Sequence, residues 1–304
     1  MGERGLEMGS LFLSGGGDRK NTEKFDEEFR RQIGQAKPLL YIPIAMDGEI
    51  PYADCLQWMR DVFHPLGIRD IVMWTDLHRK SAADLQQFPG VYIGGGNTFH
   101  LLNEMRNSGF DAVLEEYIKG GGVVYGGSAG AIILGSNIMT SAHLDDNRVG
   151  VHDFAGLDVL DGLAVWCHYE DENDEMIRRY IEDFDAPVIA LPEESGAYFQ
   201  DGHIKVTGTK SAYLFIGDDK VELQPGEAFN FSGDGDYDAQ AIVGDKKPFN
   251  DAVGHMQSIE GYPAAGDYRN LETIPKALQV GGYLFVGLAV ILFVSIVVAG
   301  WVLQ

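Results

Sequence analysis

An α/β fold with a mostly parallel sheet and flanking helices is predicted, and three observations predict it. Apolar β runs alternate with helix-prone segments through the first half of the chain. Three of those runs end in glycine-rich turns, at 15–17, 94–96 and 126–130, and a helical pattern follows each. Turns of this kind collect at the carboxyl ends of parallel strands, the edge where open α/β sheets bind ligands.

The elements follow in order. Strand 11–14 runs into Gly15-Gly16-Gly17-Asp18, and helix 22–34 comes next. Strand 39–45 follows Pro38, and residues 52–66 read as a helix with Trp58, Val62 and Phe63 on one face. Strand 69–74 leads to helix 81–87, strand 91–93, and helices 98–106 and 110–119. Strand 122–126 then enters a helix over 128–135. The second half differs: 140–168 reads as loop and strand, 172–183 as a charged helix, and strand 187–191 ends at Pro192-Glu193. Two hairpins complete it, 197–199 with 204–206 around Asp201-Gly202, and 213–216 with 220–223 around Asp218-Asp219.

The chain divides into a catalytic domain over 9–232, a Gly/Asp/Pro-rich linker over 233–279, and a terminal segment over 280–304 without a charged residue. About 20 apolar residues cross a bilayer as a helix, and Tyr283 and Trp301 sit near the ends of the segment as interfacial anchors. A single transmembrane helix contacting the lipid bilayer is expected. Arg269 and Lys276 precede it, which places the catalytic domain in the cytoplasm of a membrane-anchored protein. The polar N-terminus shows no signal peptide.

Chemistry concentrates at the third glycine turn. Val-Val-Tyr-Gly126-Gly127-Ser128-Ala129-Gly130-Ala131 is a nucleophile elbow: a strand turns sharply into a helix and lifts the Ser128 hydroxyl clear of the sheet. The Ala129 amide is left free to face a developing oxyanion. The turn Gly94-Gly95-Gly96-Asn97-Thr98 supplies further inward amides, at Gly95 or Gly96, and either Asn97 or Thr98 can cap the next helix. It is neither a P-loop nor a dinucleotide fingerprint, because neither spacing is present.

A serine nucleophile needs a base, and the base needs an orienting acid. Of the eight histidines, His64, His78 and His100 precede the elbow, and His143 and His152 fall in loop. His168 ends an apolar run and so stands at a strand's carboxyl end. For the acid, Glu193 stands at another strand end, with Glu194, Asp145 and Asp146 as alternatives.

Four motifs occur in order: YIGGGNTFHLL at 92–102, GGSAGA at 126–131, CHY at 167–169 and ALPEESGAY at 190–198. From about Leu11 to about Phe231 the chain resembles the peptidase E family of serine peptidases, whose relatives include the cyanophycinases. The resemblance implies a class I glutamine amidotransferase-like, flavodoxin-like fold and a Ser128–His168–Glu193 triad. It implies a serine exopeptidase acting on short peptides near the N-terminal residue, with Gly95, Gly96 and Ala129 as the oxyanion hole. Asn97, Thr98 and Gly127 are then placed to bind substrate. Cys167 stands where the family carries proline. The family's preference for N-terminal aspartate calls for a basic residue after the histidine. Here that stretch is Glu170-Asp171-Glu172-Asn173-Asp174-Glu175, with Arg178 and Arg179 one turn later. The acidic run reads either as a solvated helix start or as a pocket for a basic group. Rival readings are a cyanophycinase-like β-aspartyl hydrolase, a non-catalytic peptide-binding relative, and an amidotransferase-like hydrolase, which the serine disfavours.

A net charge of −23 argues against a nucleic-acid partner. Two cysteines, Cys55 and Cys167, make no disulfide framework. No cofactor is required, and His143, Asp145, Asp146, His152 and Asp153 lack a standard metal-ligand spacing. A homodimer is compatible with the sequence.

Overall fold

The computed structural model describes residues 9–231. All of them belong to the first of two units, Met1–Met256 and Gln257–Gln304, into which the chain divides. The first half alternates strand and helix: β1 (Ser10–Ser14), α1 (Arg19–Ile33), β2 (Leu39–Ile42), α2 (Tyr52–Phe63), β3 (Ile71–Met73), α3 (Ala82–Leu85), β4 (Val91–Ile93), α4 (Thr98–Ser108), α5 (Phe110–Lys119), β5 (Val123–Gly127) and α6 (Ala129–Ile132). The second half is mostly strand: β6 (Ala164–Cys167), α7 (Asp174–Phe184), β7 (Val188–Leu191), β8 (Ser195–Gln200), β9 (His203–Gly208), β10 (Ala212–Ile216), β11 (Asp219–Leu223) and β12 (Ala228–Asn230).

The predicted mostly parallel sheet is corrected to a mixed one. The large sheet has the order β12-β9-β8-β1-β5-β4-β2-β3. Its β1-β5-β4-β2-β3 half is parallel, as the βα alternation requires. The β8–β9 hairpin and β12 join it antiparallel on the other side of β1. A hairpin necessarily reverses the chain, and pairing it with β1 covers an edge that would otherwise be open. The smaller sheet, β11-β10-β7-β6, is mixed too: only β6 and β7 run parallel.

A second correction concerns the terminus. Among the described residues no helix is long and apolar enough to cross a membrane. The predicted span over 280–304 lies outside those residues, as does the linker over 233–279. The single-pass anchor, the membrane localisation and the cytoplasmic placement derived from it are therefore withdrawn.

Local sequence explains the remaining boundaries. Asp18 caps α1 by accepting from the amides of Lys20 at 2.8 Å and Asn21 at 3.0 Å. Phe25 and Phe29 face the sheet from α1, with ring centroids 5.6 Å from Phe12 and 5.1 Å from Tyr125 respectively. The predicted strand 39–45 stops at Ile42, because Pro43 has no amide proton to continue the ladder. The first hairpin turns at Asp201 and Gly202, both left-handed, as the Asp-Gly pair requires. The second turns at Gly217-Asp218, one residue earlier than predicted, with Ile216 paired to Asp219.

Candidate active site

Strand β5 ends at Gly127, and Ser128 follows with φ 49° and ψ −110°. Non-glycine residues avoid this region, at a cost of about 1–3 kcal/mol where they are held there. The turn closes because its neighbours lack side chains. A Cβ on Gly126 would lie 2.4 Å from the Gly130 carbonyl oxygen, and one on Gly130 would lie 2.3 Å from that of Ile93. The Ser128 amide donates to the Ser14 carbonyl at 3.1 Å, which ties the elbow to β1. The predicted helix 128–135 is shorter at both ends, since α6 covers only Ala129–Ile132.

His168 follows β6 directly, also in a left-handed conformation at φ 53°. Its amide donates to the Gly15 carbonyl at 2.9 Å, which swings the imidazole over the first glycine turn. Ser128 Oγ lies 2.8 Å from His168 Nε2, and His168 Nδ1 lies 3.1 Å from Glu193 Oε1. Asn21 Nδ2 donates to Glu193 Oε2 at 3.2 Å and fixes the far side of the carboxylate. The hydrogen bond from His168 is the main reason the Glu193 carboxyl sits below its usual range. Gly16 makes room for the ring, because a Cβ there would lie 2.3 Å from His168 Cε1.

Other residues weighed from the sequence have different engagements. Glu194 pairs with Lys210 at 2.9 Å, and Asp146 with Arg148 at 3.3 Å. Asp145 Oδ2 accepts from the Thr98 amide at 2.9 Å, and burial raises its pKa. His143 is stacked on Trp166 at 4.4 Å, and burial pushes its pKa down to about 4. His78 faces Asp76 at 2.9 Å and His100 faces Asp47 at 3.8 Å. Cys167 is fully buried with its sulfur 3.6 Å from the carbonyls of Ser14 and Ser128, and burial pushes its thiol up, away from nucleophilic form.

The amides of Gly95, Gly96 and Ala129 have no hydrogen-bond acceptor among the described residues, whereas the neighbouring Gly94 and Asn97 amides donate to Ile42 and Ala45. Gly95 packs against the nucleophile: a Cβ there would lie 3.1 Å from Ser128 Cβ. Asn97 caps α4 through the His100 amide at 2.8 Å and donates to the Asp146 carbonyl at 2.9 Å, and Thr98 is fully buried. The Asn97 side chain therefore holds the turn. Gly127 lines a cavity of about 480 Å³ that opens beside Ser128 and His168. The far wall of that cavity, Tyr41, Tyr92 and Trp58, was not singled out as site-forming from sequence, because aromatic residues at these positions read as core. Asn21 was also missed, although it lies in the first turn of the helix that follows the first glycine turn.

The acidic run lies elsewhere. Lys220 reaches Asp174 at 2.9 Å, Asp171 at 3.3 Å and the Tyr169 hydroxyl at 2.6 Å, so the run anchors the start of α7 to β11. Arg178 pairs with Asp174 at 3.4 Å and Glu175 at 3.3 Å, and Arg179 lies 3.7 Å from Asp183. None of these residues lines the cavity.

The family model for Peptidase family S51 matches residues 11–207. Peptidase E of Salmonella typhi is 30% identical over 184 residues, covering 56% of this chain and 76% of that protein. Peptidase E of Nostoc sp. is 27% identical over 217 residues, covering 67% and 87%. The crystal structure of a peptidase from an acI-B1 Actinobacterium superposes with a TM-score of 0.59 at 21% identity over 75% of this chain and 98% of that one, a likeness of fold. The family match spans all three glycine turns, His168 and Glu193, and the chain accordingly belongs to peptidase family S51, the peptidase E family, and is a serine-type peptidase.

Proposed function

We propose that this peptidase is an exopeptidase that hydrolyses short peptides next to their N-terminal residue through a Ser128–His168–Glu193 triad. The observation that carries the reading is the continuous chain of contacts from Ser128 Oγ to His168 at 2.8 Å and from His168 to Glu193 at 3.1 Å. The catalytic unit is the segment 9–232.

In this mechanism Ser128 Oγ attacks the peptide carbonyl carbon while its proton passes to His168 Nε2. The amides of Ala129 and of Gly95 or Gly96 receive the oxyanion, and losing one such donor typically costs about 3 kcal/mol of transition-state stabilisation. The carbon–nitrogen bond breaks as His168 returns its proton to the leaving amine. Water then repeats the sequence on the acyl ester: His168 takes its proton, hydroxide adds to the carbonyl, and Ser128 leaves with the proton restored. Throughout, Glu193 holds Nδ1 protonated, so that Nε2 accepts.

Ser128→Ala, assayed with the wild type on a dipeptide panel, tests the reading. Loss of at least about 10⁴-fold in kcat/KM with an unchanged thermal midpoint is expected. Retention of activity within tenfold would remove Ser128 from the chemistry.

A further inference from the structure

The cavity beside Ser128 is a poor receptor for an acidic side chain. Its wall away from the nucleophile is built by Tyr41, Met46, Ile50, Trp58 and Tyr92. Among the described residues no arginine or lysine lines it, and the one carboxylate that does, Asp54, lies one helical turn before Trp58 on α2. A carboxylate placed here would lose water and gain no counter-charge from this wall.

The same wall suits apolar bulk. Trp58 and Tyr92 meet edge to face at 6.3 Å, as do Tyr41 and Tyr92 at 5.8 Å, which leaves ring faces and edges for a further aromatic group. Ile50 and Trp58 remain 43% and 38% exposed, so two large apolar side chains stand at the surface of this one cavity. Its volume of about 480 Å³ falls within the roughly 300–1,000 Å³ typical of small-ligand sites.

We infer that this cavity receives the side chain of the residue whose carbonyl Ser128 attacks, and that it selects a bulky apolar, above all aromatic, N-terminal residue over an acidic one. The inference rests on the exopeptidase reading above. Asp54 adds repulsion toward an acidic side chain at the mouth.

The test uses the full chain and dipeptides Xaa-Leu with Phe, Leu, Gly, Asp or Lys first. Phe-Leu is expected to exceed Asp-Leu by about 100-fold in kcat/KM, the scale at which a pocket discriminates by missing partners. Trp58→Ala is expected to lower kcat/KM for Phe-Leu about tenfold, chiefly through KM, and so to narrow the preference for Phe-Leu over Gly-Leu. Best cleavage of Asp-Leu, or rates for Phe, Gly and Asp within threefold, overturns the inference. Ser128→Ala separates the two readings. Cleavage that is lost in this variant but prefers Asp defeats the pocket assignment alone, whereas cleavage that persists in it defeats the serine mechanism. Failure to cleave any member overturns both.

Discussion

The elbow and the acidic run are the two most conspicuous local patterns of the chain, and they have opposite fates. At the elbow, every residue that shapes the turn is a neighbour in sequence or sits at another glycine turn on the same sheet edge. The run at 170–175 begins two residues after the histidine, yet two of its carboxylates, Asp171 and Asp174, are held in an ion cluster by Lys220 of β11. Backbone conformation is written locally, because glycine is needed wherever a Cβ would collide. The role of a charge depends on its partner, and that partner lies about 50 residues away.

The largest effect in this comparison is expected at Glu193, the carboxylate that contacts the histidine. Glu193→Gln would present an amide N–H to Nδ1, or favour the tautomer in which Nε2 carries the proton and cannot accept one from Ser128. Glu193 is 46% exposed, so solvent offers partial compensation. A fall of about 10³-fold in kcat/KM is expected, below the roughly 10⁴-fold typical of a buried triad acid. Steady-state kinetics check it, and a loss below tenfold would reduce Glu193 to a bystander.

Gly16→Ala probes the same side without touching a reacting group. Gly16 has φ 111°, and a Cβ there would enter the imidazole at 2.3 Å from Cε1. The ring must shift, and displacement of a base by about 1 Å is expected to lower kcat about 100-fold. Comparison of pH–rate profiles and thermal midpoints separates a moved base from a damaged fold. Wild-type kcat in a folded variant would show that the ring has room the structure does not display.

Much of the candidate site was legible for this reason. Ser128, the three glycine turns, and His168 and Glu193 at strand ends all followed from local signals together with the family's motif order. The mixed sheet was not legible. The Asp201-Gly202 turn announces a hairpin, but nothing within 195–208 states that β8 will pair with β1. Cys167 beside His168 is buried, with its sulfur against the carbonyls of Ser14 and Ser128. Trp58 is the instructive miss: helical spacing groups it with Val62 and Phe63, which are buried, while Trp58 itself stands on the cavity. Periodicity assigns a face, and it does not reveal where a neighbouring glycine turn leaves that face uncovered.

A third carboxylate, beneath the elbow, sharpens the point about partners. Asp26 is buried and accepts from Thr22 Oγ1 at 2.7 Å and the Tyr125 hydroxyl at 2.8 Å. Burial raises its pKa from 3.8 to about 6. Between these values the folded protein keeps a proton that the unfolded chain has released, so stability falls as pH rises through the window. At about 1.4 kcal/mol per unit the fall amounts to at most about 3 kcal/mol. Asp26→Asn retains the acceptor for Tyr125, can donate to Thr22 and cannot ionise. It is expected to remove this slope and to gain about 2 kcal/mol on wild type between pH 4 and pH 7. Urea midpoints of the pair at both pH values check the difference, and parallel pH dependences would refute the assignment.

The smallest effect is expected at the acidic run, which the sequence left open between a solvated helix start and a pocket for a basic group. Lys220 packs its ammonium 4.6 Å from the Tyr213 ring and 5.2 Å from the Tyr169 ring while it bonds Asp174 and Asp171. Lys220→Met keeps much of the apolar contact and removes the charge. Asp174 retains Arg178 and Asp171 is largely exposed, so the uncompensated charge is shared with solvent. A loss of about 1–2 kcal/mol in unfolding free energy is expected, between the values for surface and buried pairs. Dipeptide kcat/KM should stay within twofold, because none of these groups lines the cavity. A folded variant with a tenfold activity loss would mean that the acidic run reaches the substrate after all, and the contrast between local backbone signals and distant charge partners would fail at the place where it was drawn.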